Sequence, residues 1–365
     1  MKKTIVALAV AAAFTTPAFA DNANVTVYGK AFLTFDQKGS NATGAASQMR
    51  VNTNASRFGV KGSEDLGEGL KAVYQFELEM DADGSGNSVS TTTTTTTTGT
   101  SPGPYTSTST STSTPTPSGL GKSRNSGVGI EGGLGKVMFG IWDSPFKVAH
   151  NKIELFDNAS SWTSTAVIGR SAGKDYNTRQ KNMIQYWSPK FADMQVAVMY
   201  SPDESQTTTV NKNILSMSAT YDFEGIYASV AYENRAHVTS TTTDTAFRAV
   251  AKYDIADFSI GAMAESIKTN LTATTAVTGS NMELVGQYKI GPTHLAVSFA
   301  KQGSAAASTA AKNNVDQLSL KYAYNFSKRT ELFAAYTSNK TANGTLAAPT
   351  STTLTYLGGG IVHAF

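Results

Sequence analysis

The chain contains no cysteine. A disulfide framework, thiolate zinc sites and thiol catalysis are therefore excluded. No stretch approaches the roughly 18 consecutive apolar residues that a membrane-spanning helix needs, and the apolar run from Ile5 to Phe14 is too short. Histidine is scarce, with His150, His237, His294 and His363 scattered along the sequence. No G-x-S-x-G elbow, HExxH spacing or Walker loop accompanies them, so protease or phospholipase chemistry lacks its residues, as does nucleotide chemistry. No metal or other cofactor is expected. An excess of one charge is missing too: without Lys2 and Lys3, 28 basic residues stand against 27 acidic ones. That balance argues against nucleic acid as a partner.

What is present begins with an export signal. Lys2 and Lys3 form a positive start, Ile5 to Phe14 an apolar core, and Ala18-Phe19-Ala20 a small-residue cleavage site, so 1–20 reads as a signal peptide and 21–365 as one exported domain. An exported protein of this length without disulfides needs another source of stability. A closed β-barrel supplies one, because every backbone polar group is paired around the ring and no edge remains.

The mature sequence alternates with period two. Val25, Val27, Ala31, Leu33 and Phe35 share one face and Thr26, Lys30 and Thr34 the other; Lys71 to Met80, Asn213 to Tyr221 and Gln317 to Tyr324 repeat the pattern. Sixteen such runs lie near 25–36, 50–63, 69–80, 122–132, 136–142, 177–188, 193–202, 212–222, 225–238, 244–255, 257–269, 280–290, 293–302, 313–325, 329–340 and 351–365. Their connections alternate short and long. Tight turns such as Gly133 to Gly135, Phe223-Glu224 and Gly291-Pro292 separate longer polar segments. Short turns on one rim and long loops on the other, with an even strand number, mark an antiparallel transmembrane β-barrel rather than a soluble sandwich. Aromatics near strand ends, among them Tyr28, Tyr186, Trp187, Tyr200, Tyr253, Tyr288, Tyr322 and Tyr324, suit the membrane–water boundary.

Two connections stand apart. Residues 81–121 are rich in Thr, Ser, Pro and Gly and include an unbroken threonine run from Thr91 to Thr98, which predicts a mobile extracellular loop. The connection 143–175 instead carries Phe146, Ile153, Leu155, Phe156 and Trp162. Such a loop packs against something, and in a barrel the available surface is the lumen.

Several motifs resemble the general porin family of Gram-negative bacteria, in its betaproteobacterial and neisserial branch. They are Val25-Thr-Val-Tyr-Gly29, the segment from Ser56 to Glu77 (SRFGVKGSEDLGEGLKAVYQFE), Arg124-Asn-Ser126, Gly132 to Gly140 (GGLGKVMFG), Tyr186-Trp-Ser-Pro-Lys-Phe191 and the terminal Phe365. The resemblance implies a sixteen-stranded barrel, a homotrimer embedded among outer-membrane lipid and lipopolysaccharide, and a third loop folded inward as a constriction with acids facing basic side chains. It also implies a second loop that reaches the neighbouring subunit, and a terminal Phe365 read by the barrel-insertion machinery. Two positions depart from the family pattern: Ile141 replaces a common arginine, and Gln185 with Trp187 replaces a common charged pair.

Strand parity locates the lumen independently. If Phe58, Val60 and Gly62 face lipid, Arg57 and Lys61 face water; the same reasoning turns Lys30, Lys71, Lys136, Arg179, Lys181, Arg248, Lys252 and Lys321 inward. A charge on the lipid side costs about 2 to 4 kcal/mol near the midplane. Lys30, Arg57, Lys61 and Lys71 are expected to form a basic wall, with Arg179 and Lys181 also lining the pore, and Asp143, Glu154 and Asp157 on the inward loop the opposing acidic side. The expected function is passive diffusion of ions and small hydrophilic solutes. The alternative is a surface structural or adhesin barrel, which only the Thr/Ser segment supports.

Overall fold

The computed structural model describes residues 24–84, 94–98, 106–110, 120–207, 211–236, 242–272, 274–304, 314–345 and 348–365. Residues 1–20, read above as a signal peptide, lie outside these residues. Sixteen spanning strands form one antiparallel barrel: β1 (Asn24–Ser40), β2 (Arg57–Gly67), β3 (Leu70–Met80), β4 (Ser126–Gly132), β5 (Gly135–Asp143), β6 (Arg179–Trp187), β7 (Met194–Ser201) and β8 (Ile214–Phe223) make the first half. The second half consists of β9 (Ile226–Ala236), β10 (Thr243–Ile255), β11 (Phe258–Asn270), β12 (Ala276–Ile290), β13 (Thr293–Ser304), β14 (Asn314–Asn325), β15 (Thr330–Thr345) and β16 (Ala348–Ala364). Two short pieces, Gln48–Thr53 and Leu120–Ser123, extend β2 and β4 along the same neighbours, β1 and β3, after a break in the ladder.

The ring closes where β16 pairs with β1 from Lys30↔Ala364 to Ser40↔Leu354. Phe365 continues this seam, exchanging backbone hydrogen bonds of 3.0 and 3.1 Å with Gly29. Closure leaves no unpaired edge in the hydrocarbon region, where an unsatisfied backbone group is costly.

Alternation along β1 decides which surface meets lipid. Val25, Val27 and Phe35 are 58, 56 and 54 % exposed, whereas Phe32, Thr34 and Asp36 on the opposite face are 1, 3 and 0 % exposed. The same outward apolar row continues through Phe139, Val230, Phe247, Ile260, Leu284, Val297, Leu320 and Leu357. At the short-turn rim, Phe258 stacks on Tyr288 at 4.3 Å and Tyr324 meets Phe326 at 5.0 Å, which fits an interfacial aromatic belt. Tyr28 and Trp187 do not belong to it. Tyr28 donates to Glu77 (3.1 Å) and Trp187 packs beside Lys136, both on the lumen side.

Of the threonine-rich connection, 94–98 and 106–110 pair as an antiparallel hairpin, from Thr94↔Thr110 to Thr98↔Thr106. The β-preference of branched threonine favours this pairing. Most of the remainder of 81–121 lies outside the described residues.

Candidate functional site

The connection between β5 and β6 folds into the barrel and covers part of its inner wall. A short helix, Pro145–Val148, opens it, capped by the Ser144 hydroxyl and started by a proline whose missing N–H is not needed there. Its apolar side chains divide among three patches of wall. Phe146, Ala149 and Tyr176 pack with Ala231, Ala246 and Ile267; Ile153, Val167 and Ile168 with Tyr227, Val250, Met263 and Val285; Phe156 and Trp162 with Phe32, Phe333 and Ala335. Burying one such side chain contributes about 1.5–3 kcal/mol, so the loop is held inward by several independent anchors.

Polar contacts fix its path. Arg248, wholly buried, bonds Glu265 (2.6 and 2.8 Å), the Phe146 carbonyl (2.9 Å) and Asn177 Oδ1 (2.9 Å). Tyr227 donates to the Ala149 carbonyl (2.9 Å), Ser319 and Gln317 to the carbonyls of Trp162 and Thr163 (each 2.8 Å). His150 meets Glu283 at 2.6 Å in a fully enclosed pair. Arg50 joins Asp36 (2.7 Å) and Ser161 (3.1 Å). The fastened wall runs over β8–β16 and β1, which leaves the wall of β2–β6 facing open lumen.

Between loop and open wall lies a polar recess of ≈ 650 Å³. Its bases are Arg57, Arg124, Lys147 and Arg179, and its acids are Glu77, Glu79, Asp143, Glu154 and Asp157. Arg124 bonds Glu77 (2.6 Å) and Glu79 (3.3 Å), with Arg57 3.8 Å from Glu77. Asp143 receives Lys147 (2.5 Å) and Arg179 (3.2 Å), and Arg179 also donates to Asn125 (3.0 Å). Asp157 pairs with Lys30. Glu154 accepts from the Phe156 N–H (2.8 Å) and the Thr163 hydroxyl (2.7 Å). Burial, the largest influence, raises the Glu154 carboxyl pKa above its usual range; His150 opposes this and Glu283 adds to it. Burial likewise lowers the Lys147 ammonium pKa, against the pull of Asp143.

The arrangement differs from the opposed walls expected from sequence. Lys30, Arg57, Arg179, Asp143, Glu154 and Asp157 come together at the loop, but Asp143 ends β5 and is paired there with Arg179. Acids and bases are therefore interleaved. Lys61 and Lys71 sit elsewhere: Lys61 lies over the Tyr28 ring nearer the short turns, and Lys71 stands one residue inside β3, opposite Asp65. Lys181 is also absent from the recess. A register shift between Gln180 and Met183, with Asn182 at φ +53°, breaks the alternation that aligned Lys181 with Arg179. Arg248 and Lys321 do point inward but hold the loop, Lys321 through the Leu155 carbonyl (3.3 Å) while pairing with Glu331 of β15 (2.8 Å). Sequence reasoning missed Arg124, Lys147, Glu77 and Glu79 as site residues. Parity already placed Glu77 and Glu79 with Lys71, and that was the available signal.

Comparison with known proteins gives a consistent result. The family model described as Gram-negative porin matches residues 7–344. The major outer membrane protein P.IB of Neisseria lactamica is 24 % identical over 348 residues, covering 90 % of this chain and 91 % of that protein. P.IB of Neisseria gonorrhoeae is 25 % identical over 237 residues, covering 63 % of this chain, and the match spans 56 % of that relative's length. Among solved structures, the anion-selective porin from Comamonas acidovorans aligns with a TM-score of 0.74 at 22 % identity, covering 94 % of this chain and all (100 %) of the other. A Salmonella typhi OmpF structure aligns at 0.62 with 16 % identity, covering 95 % and 99 %. With its closed barrel, apolar outer face and match along most of its length, this chain belongs to the Gram-negative porin family and is an outer-membrane protein.

Proposed function

We propose that the barrel is a general diffusion channel, not an enzyme, admitting ions and small hydrophilic solutes past the inward loop. The observation that carries this reading is the charge-lined recess of ≈ 650 Å³ between that loop and the wall of β2–β6. Fixed charges of both signs in a low-dielectric gap orient water and dipolar solutes, which favours polar over apolar molecules. The recess mixes four bases with five acids, so neither sign of charge dominates its lining. The channel is accordingly weakly ion-selective and tolerant of zwitterions. In this reading 1–20 is removed on export, Phe365 marks the chain for barrel insertion, and the protein works as a homotrimer. The trimer form of Vibrio cholerae OmpT, similar in fold at a TM-score of 0.63, supports the last point.

Liposome swelling tests the channel directly. Purified protein reconstituted into vesicles should give rapid swelling with arabinose and with glycine, and slower swelling with raffinose. No swelling with any of them would replace the channel by a plugged structural barrel.

A further inference from the structure

Towards the short turns, the lumen wall changes character. On the inner face of β4, Gly127 and Gly129 leave room that the Met138 side chain takes up: a Cβ at Gly129 would meet Met138 Sδ at 2.7 Å, and one at Gly127 the carbonyl oxygen of Phe139 at 2.3 Å. Beside this glycine floor lies a separate recess of ≈ 330 Å³ whose lining includes Lys61, Gln75, Glu131, Lys136, Met138 and Trp142. Lys61 Nζ stands 5.2 Å over the Tyr28 ring and Lys136 Nζ 4.4 Å over the Trp187 ring. Trp187 in turn meets Trp142 edge-on at 6.0 Å. Among the described residues neither ammonium is paired with a carboxylate, in contrast to Lys30, Lys147 and Lys321.

We propose that this recess is a transit site for small aryl monocarboxylates. Cation–π contact holds each ammonium over a ring while leaving donors free toward water. A carboxylate accepts from these donors, and its ring lies against the indole of Trp142, favourable for an aromatic face. An aliphatic carboxylate has no use for the indole, and a neutral aromatic none for the lysines. Glu131 sits across from both Lys136 and Lys71 in the β-ladder, so a second anionic group on the ligand would be repelled. This site lies beyond the constriction and rests on the channel reading only in that the lumen must be water-filled.

The test uses the full protein in planar bilayers, with benzoate, acetate and benzyl alcohol as probes added to KCl. Benzoate should reduce the single-channel current at a half-effect concentration at least about fivefold below that of the other two, since aromatic contact and charge act together. The K61S/K136S variant should lose that preference. The three tryptophans allow a second readout: in a W162F variant only Trp142 and Trp187 remain, and benzoate should change their emission with the same midpoint. Equal block by benzoate and acetate, or unchanged benzoate block in K61S/K136S, overturns the proposal; so does unaltered emission. Arabinose swelling of the same preparation separates the two ideas, because swelling without benzoate preference removes the site and leaves the channel.

Discussion

Arg248 is the clearest case of a side chain whose place was legible while its work was not. Parity turned it inward, yet it reaches no water; it bonds Glu265 and two groups of the inward loop. Removing one member of a buried ion pair typically costs about 3–5 kcal/mol because the other charge is left unpaired. R248A should therefore lower the thermal midpoint of the folded barrel and raise the single-channel conductance as the loop loosens; unchanged conductance would show that the apolar anchors suffice. Glu154 gives a pH signature. Its folded-state pKa is raised, so its stabilising contribution is complete below the ordinary carboxylate range near about pH 4.3 and is lost as pH rises through the folded value. His150, Glu283, Thr163 and the Phe156 N–H face it. Loop-related current fluctuations should increase from acidic to neutral pH, and E154Q should flatten that dependence. An identical pH profile in E154Q would remove Glu154 as its source.

At the scale of elements, strand faces follow from local alternation, but the ends of the barrel needed the fold. Phe365 lies over Gly29: a Cβ there would meet the Phe365 ring at 2.3 Å and the Arg57 carbonyl oxygen at 2.8 Å. Overpacking of this kind costs about 1–3 kcal/mol, and here it falls on the closing seam of β1 and β16. G29V should slow or prevent formation of the heat-resistant folded band on cold electrophoresis, whereas the same change at Gly133, where a Cβ meets nothing within 4 Å, should not. The inward loop was recognisable from Ile153, Leu155, Phe156 and Trp162, since so many apolar side chains cannot face solvent. Which strands they meet was not, because Trp162 and Phe333 are brought together only by the closure of the ring.

For the whole molecule, interleaved charge sets the expected transport behaviour. Had the bases formed one wall and the acids another, selectivity would follow the more exposed set. As folded, R57S/R124S removes two of the four bases in the recess and should shift the reversal potential in a KCl gradient toward cation preference. Replacing Lys71, outside the recess, should shift it much less. Equal shifts would place the selective step near the short-turn rim.

Composition and period-two alternation, acting locally along the chain, determined an exported barrel, its lipid and lumen faces and the presence of one loop that had to fold inward. Alternation gives the face of a residue, not its height or its partner. The breaks before β2 and β4 and the bulge at Gln180/Met183 reset register, moving Lys181 out of line. The pairing of Arg124 with Glu77, of Asp143 with Arg179 and of Lys30 with Asp157 therefore belongs to the tertiary structure alone. Asp143–Arg179 and Arg124–Glu77 are set by the register of neighbouring strands, and Lys30–Asp157 by the loop packed inside the ring.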